Sequence, residues 1–303
     1  MFGITVRIVV GRSQPIRGAT SAPTARVLDV VELLARSGGR QRRFSDVVRE
    51  LDLTQATAHA ILKTLCDRGW ASRDPVAKTF TLGPALAVVA ARTDSARPLT
   101  HAARGAVLRL SGAVGYAGSV VERFEDSLVI TAFEGNEATE PSGLPGDRIP
   151  YAPPFGVAFA AWDTVDGQRE WIRRGVGADI ARSRRLQDAL AHTRERGFDV
   201  DCTTPALAQA AQLVGTLQSD QVPAPVRQIM DQLLAEFTIS GFLFDDDADG
   251  EKRPVATIAA PVFDHRQEVA LIIALHPLRA LTAARIRSIG ERLVEEAALI
   301  SNG

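Results

Sequence analysis

Cysteine is nearly absent: Cys66 and Cys202 are the only two in 303 residues. They sit far apart with no metal-ligand spacing. That excludes a disulfide framework and points to a reduced, cytoplasmic protein. The histidines, His59, His101, His192, His265 and His276, are scattered with no pair at metal spacing, so neither a metal nor a cofactor is expected. No run approaches the ~18 apolar residues of a membrane span, which excludes a membrane partner. A phosphate loop is also missing: SGAVGYAGS (Ser111–Ser119) has glycines but neither the lysine nor the following helix. Asp245, Asp247, Asp249 and Gly250 fit the first half of a calcium loop, but its twelfth position is Ala256 and not glutamate. Cys202 beside Asp201 lacks a local base, and no nucleophile, base and orienting group can be assembled, so no enzyme is expected. The opening MFGITVRIVVGRSQ matches a signal peptide poorly, because Arg7 interrupts its apolar patch. Residues 1–23 read as a flexible arm or as a start placed too early.

What is present points to two domains, the usual division for a chain of this length. Residues 1–83 hold 13 Lys and Arg against 7 Asp and Glu, while residues 84–303 hold 22 against 29. A basic front joined to an acidic body suits contact between the front and a polyanion.

Residues 24–83 read as a winged helix-turn-helix. Val27, Leu28, Val31, Leu34 and Ala35 share one face of a first helix that Gly38-Gly39 ends. Ser45 serves as the N-cap of a second, with Val47, Val48 and Leu51 on one side. In LTQATAHAILKTL, Thr54 is the N-cap and Ala58, Ile61, Leu62 and Leu65 form the buried stripe. The opposite face carries Gln55, Ala56, Thr57, His59, Ala60 and Lys63. Small residues there admit close approach to a major groove, and the polar ones reach bases and phosphates. Asp74-Pro75 turns a short hairpin with Arg73 and Lys78 near its tip, forming a wing. Residues 84–97 form an Ala-rich linker helix.

The segments ARVLDVVELLA, FSDVVRELDLTQATAHAILKTLCDRGW and FTLGPAL resemble the winged domain of the IclR family of bacterial transcriptional regulators in order and spacing. Further on, PGDRIPYAPPFGVAFAAW, RERGFDVD and IAAPVFDHRQEVALIIALHPLRALT resemble segments of that family's effector domain, so the likeness runs from about residue 24 to 301. It implies double-stranded operator DNA as partner, a small-molecule effector, and a homodimer or homotetramer. Family members often carry basic residues where this chain has Gln55 and Ala60, so Arg40, Arg42, Arg43, Arg73 and Lys78 are expected to carry more of the phosphate contact. After GFDVD the family usually shows an acidic residue and a glycine, whereas this chain reads Cys202-Thr203-Thr204-Pro205-Ala206.

Residues 98–303 read as an α+β domain. Strands are expected over Tyr116–Arg123, Ser127–Glu134, Ile239–Phe244, Ala256–Phe263 and Glu268–Leu275. Helices are expected at 155–162, 166–174, 184–196, 204–218, 225–237 and 282–301. The resemblance implies a GAF-like antiparallel sheet with flanking helices. The loop Asp147–Gly156 offers a pocket: Tyr151, Ala152 and Phe155 supply apolar surface, and Gly156 opens a helix whose free N–H groups favour an organic acid. Asp201, Cys202, Ala259 and Leu271 complete the expected effector wall. The alternative reading is a GAF-type small-molecule or haem sensor whose front domain docks protein. Salt dependence separates the two, because phosphate contacts release counterions.

Overall fold

A computed structural model of the chain describes residues 21–35, 41–135, 145–177, 179–202 and 252–303. Arg40, Thr203, Thr204, the expected helices at 204–218 and 225–237, the expected strand Ile239–Phe244 and the turn at Asp245–Gly250 lie outside the described residues. Two compact units meet in the sequence between Pro98 and Leu99.

The front unit runs α1 (Ala22–Ala35), β1 (Arg42–Arg43), α2 (Phe44–Glu50), α3 (Gln55–Asp67), β2 (Ala71–Arg73), β3 (Thr79–Leu82) and α4 (Ala85–Ala96). Its core joins Val30, Leu33 and Leu34 of α1 to Val47, Ile61, Leu62, Leu65, Ala71 and Phe80. The apolar stripe read on α3 is therefore the stripe that is buried. α2 starts two residues earlier than the sequence implied. The Asp46 carboxylate reaches back to accept from the Arg43 N–H at 3.0 Å, so Arg43 occupies the N-cap position and Ser45 lies inside the helix. The wing is part of a three-stranded sheet, ordered β1-β3-β2. It closes at Gly83, where a Cβ would stand 2.2 Å from the Gly69 carbonyl oxygen, so only glycine fits.

The second unit runs α5 (Pro98–Val114), β4 (Ala117–Phe124), β5 (Ser127–Glu134), β6 (Arg148–Pro150), α6 (Val157–Ala160), α7 (Val165–Val176), α8 (Ile180–Arg196), β7 (Asp199–Asp201), β8 (Lys252–Val255), β9 (Thr257–Phe263), β10 (Val269–His276), β11 (Arg279–Thr282) and α9 (Ala283–Ser301). Six strands form an antiparallel sheet ordered β6-β5-β4-β10-β9-β7, and β8 pairs with β11. Both faces of the large sheet are covered, so its central strands are nearly continuous apolar runs. Leu271, Ile273 and Leu275 of β10 face α5 and α9, together with Ile286, Ile289 and Leu293. Ile272 and Ala274 face the other way, toward α6, α7, α8 and Tyr151. Thr282 caps α9 by accepting from the Arg285 N–H at 3.3 Å. Among the described residues, no helix is long and apolar enough to cross a membrane.

Candidate nucleic-acid interface and effector face

The front of α3 is built by its cap and its stripe. Thr54 accepts from the Thr57 N–H at 3.2 Å, which fixes the first turn. With Ala58, Ile61, Leu62 and Leu65 buried, Gln55, Ala56, His59, Ala60 and Lys63 are left exposed. Thr57 is half-buried, its hydroxyl lies 2.8 Å from the Thr54 hydroxyl, and it lines the open cleft beside Ala56 and Ala60. Lys63 is exposed but donates to Asp67 one turn on, a bond that raises its pKa and engages its charge.

The other cations flank the helix. Arg42 is paired with Glu50 at 2.8 Å, whereas Arg43 is exposed at the start of α2. The wing is stiffened by Asp74, whose Oδ1 accepts from the N–H groups of Val76 at 2.7 Å and Ala77 at 2.9 Å. Arg73 lies 5.9 Å from the Phe80 ring centroid, and Lys78 is exposed at a positive φ of 55°. A cleft of about 510 Å³ separates α1 from α3, lined by Pro23, Arg26 and Val27 on one side and by Ala56, Thr57, Ala60, Ile61, Thr64 and Leu65 on the other. Arg26 was not singled out in the sequence. Its signal was its position four residues before Val30 and seven before Leu33, on the face of α1 that is buried.

On the second unit, the loop after β6 is packed against the sheet. Tyr151 is buried, its ring edge-on to Phe159 at 6.3 Å and covered by the Arg123 guanidinium at 4.3 Å. The Tyr151 hydroxyl lies 3.4 Å from an Asp163 oxygen that also accepts from Arg123 at 2.8 Å. Burial pushes the phenol pKa up, so it stays protonated. Trp171 donates its indole N–H to the Phe155 carbonyl at 2.9 Å, tying the loop to α7. Gly156 has a φ of 86°, and a Cβ there would stand 2.7 Å from the Tyr151 ring. The helix that follows, α6, is a single four-residue turn. Its dipole is too short to supply the anion site expected there. A second cleft, of about 340 Å³, is lined by Ala161, Gln168, Gln187, Leu190, Ala191, Arg194 and Glu195. Neither Tyr151 nor Phe155 reaches it.

The expected effector wall is divided by the sheet. Ala259 shares the α6–α8 face with Tyr151, whereas Leu271 is on the α5–α9 face and Cys202 packs against that same core. Strand alternation is the reason, since consecutive side chains point to opposite faces. Asp201 pairs in register with Thr257, two residues from Ala259, and so has the correct face. It lies on the opposite edge strand from the Tyr151 loop, five strand spacings or about 24 Å away at ~4.8 Å each. Burial pushes the Cys202 thiol up to about 12.

That face also holds groups not foreseen from the sequence. His276 bridges Ser119 at 2.9 Å and Thr257 at 3.2 Å, stacks on Phe133 at 5.9 Å, and is pushed down to about 4 by burial. Asp199 is pushed up to about 6 by burial, partly offset by Arg196, and its Oδ1 has no hydrogen-bond partner among the described residues. The two titrate in opposite senses. Asp199 favours folding below its unfolded value of 3.8 and loses that share as pH rises through about 6. His276 favours folding above its unfolded value of 6.5 and loses that share as pH falls through about 4. Asp199→Asn should therefore stabilise the unit at pH 7 by about 1–3 kcal/mol, with the gain shrinking to nothing near pH 4. Urea unfolding of both proteins across that range checks it; a gain independent of pH contradicts it.

The family described as the IclR helix-turn-helix domain matches residues 23–75. Over 293 residues the chain is 25% identical to the HTH-type transcriptional regulator BhcR of Paracoccus denitrificans, covering 92% of this chain and 85% of that protein. The chain carries the helix-turn-helix domain of the IclR family over residues 23–75. It is a DNA-binding transcriptional regulator of the IclR type, and the protein-docking alternative for its front unit is not favoured. The IclR regulator structure from Alicyclobacillus acidocaldarius aligns with a TM-score of 0.59 at 19% identity, over 93% of this chain and 98% of that one. An IclR homologue from Microbacterium hydrocarbonoxydans, complexed with 4-hydroxybenzoate, aligns with a TM-score of 0.59 at 18% identity over the same shares. In this IclR-type regulator the matched segment contains α1 to α3 and the first wing strand, and so includes the exposed front of α3.

Proposed function

We propose that this IclR-type regulator is a cytoplasmic homodimer or homotetramer. In each copy Gln55 and His59 read bases through the α3 front, while Arg26, Arg43, Arg73 and Lys78 hold the backbone. Arg40 and Arg42 stand as neighbouring phosphate contacts. One recognition helix covers a few base pairs, and two-fold pairing of copies gives two half-sites about one helical turn, ~34 Å, apart. Residues 1–23 form an arm, 24–83 the DNA-binding domain, 84–97 the linker, and 98–303 the effector domain, whose ligand is a small organic acid.

The observation that carries the sensing role is Arg123. It is a cation laid on the buried Tyr151 ring and held there by Asp163. A ligand carboxylate competes with Asp163 for Arg123, and its aromatic or apolar body packs by Tyr151, Ala152 and Phe155. Displacing Asp163 loosens the start of α7, so ligand binds one arrangement of the domain better than the other, as a switch requires. The bound 4-hydroxybenzoate of the Microbacterium hydrocarbonoxydans homologue supports this ligand class. The experiment uses operator fragments recovered by genome-wide footprinting and 4-hydroxybenzoate with related aromatic acids as probes. Wild type should change operator affinity about five- to 150-fold with an active acid, the usual range for allosteric coupling. Arg123→Gln should bind operator normally and lose that response. An unchanged response in Arg123→Gln contradicts the assignment.

A further inference from the structure

The exposed front of α3 has an unusual deficit. The strongest specific contact to a G·C pair is a bidentate one from arginine or lysine to guanine O6 and N7. Between Gln55 and Asp67, α3 has no arginine. Its one lysine, Lys63, is engaged by Asp67 on the next turn and lies about 12 Å along the axis from Gln55, at 1.5 Å per residue. The N-terminal residues of a recognition helix are the ones that meet base edges. Here they are Gln55, Ala56, His59 and Ala60, all exposed.

Each of these has a matching base feature. The Gln55 amide offers a donor and an acceptor side by side, the complement of adenine N6 and N7. The Ala56 and Ala60 methyl groups complement the C5-methyl of thymine, an apolar contact found only at A·T pairs. His59 supplies one hydrogen bond, too few to replace a bidentate guanine contact. Several exposed cations flank the front of α3 without lying on it: Arg26 on α1 beside the cleft, Arg43 at the start of α2, and Arg73 and Lys78 on the wing. Groups in those flanking positions meet phosphates, which fix register and carry no base identity.

We propose that this regulator recognises an operator whose half-site centre is A·T, read through adenine by Gln55 and through thymine methyl groups by Ala56 and Ala60, with no guanine contact from α3. The proposal rests on α3 being the recognition helix. The test selects binding sites from random-sequence duplexes with the full-length protein, then measures affinity for the selected site and its variants. A·T pairs should be fixed at the centre of both half-sites. Replacing the central thymines by deoxyuracil, which removes only the methyl group, should weaken binding about threefold to tenfold. Gln55→Arg should move the preferred pair at one position of each half-site to G·C, and Arg26→Ala should weaken all sequences alike. A fixed G·C pair at the half-site centre, or deoxyuracil sites bound as tightly as thymine sites, overturns the proposal while leaving α3 as the reader. If selection enriches no sequence at all, the reading of α3 as a recognition helix fails and the proposal falls with it.

Discussion

Ala60→Glu is expected to reduce operator affinity by a hundredfold or more while leaving the fold intact. Ala60 is exposed on the outward side of α3, and its neighbour on the same front is Ala56. A carboxylate at this position would enter a groove walled by phosphates, and the burial of an unpaired charge at an interface costs several kcal/mol. Helix propensity does not explain such a loss, because alanine and glutamate are both good helix formers. The thermal transition of Ala60→Glu should thus match wild type, and Ala60→Gln, of equal size and no charge, should lose far less affinity. Fluorescence anisotropy with an operator duplex at fixed salt measures all three proteins. Affinity retained in Ala60→Glu would mean that α3 does not face the DNA.

Leu62→Ala is expected to lower the melting temperature of the front unit by about 10–30 °C. Leu62 is 2% exposed and packs among Val30, Leu33, Val47 and Phe80. Truncating a buried leucine costs about 2–5 kcal/mol, the lost transfer energy plus the cavity left behind. In a domain of this size each kcal/mol shifts the transition by about 4–8 °C. Total domain stability is only about 5–15 kcal/mol, so operator binding should weaken or vanish near growth temperature. The second unit has its own cores around Ile273 and Trp171 and should be spared. Calorimetry should show one transition moving and another fixed. Equal movement of both would mean that the two units unfold as one.

The front unit was largely legible because its signals are local. The i, i+3, i+4, i+7 stripe of Ala58, Ile61, Leu62 and Leu65 and the cap at Thr54 each involve residues within two turns. What the sequence hid there is pairing: Thr57 spends its hydroxyl on Thr54, and Lys63 spends its charge on Asp67. In the second unit the strands of both hairpins were legible as apolar runs, but continuous runs conceal which side chain faces which way. That is why Leu271 and Cys202 were grouped with Ala259 when the sheet separates them. α5 was not among the expected helices, although Ala103, Ala106, Val107 and Leu110 carry the helical spacing and Pro98 suits a first helical position. His276 gave no signal at all: its partners Ser119 and Thr257 come from two other strands and are joined only by the folded register.

The central claim is that this chain holds DNA through phosphate contacts around the α3 front, and salt dependence tests it most directly. Operator affinity should be measured for wild type and Lys78→Ala from low to physiological salt. The account predicts that the logarithm of the association constant falls linearly with the logarithm of salt, by about 0.9 for each phosphate neutralised. With Arg26, Arg43, Arg73 and Lys78 from each of two copies, the slope should be steep, and Lys78→Ala should reduce it by about one for each copy bound. A slope near zero, or one that Lys78→Ala leaves unchanged while affinity falls, would contradict it.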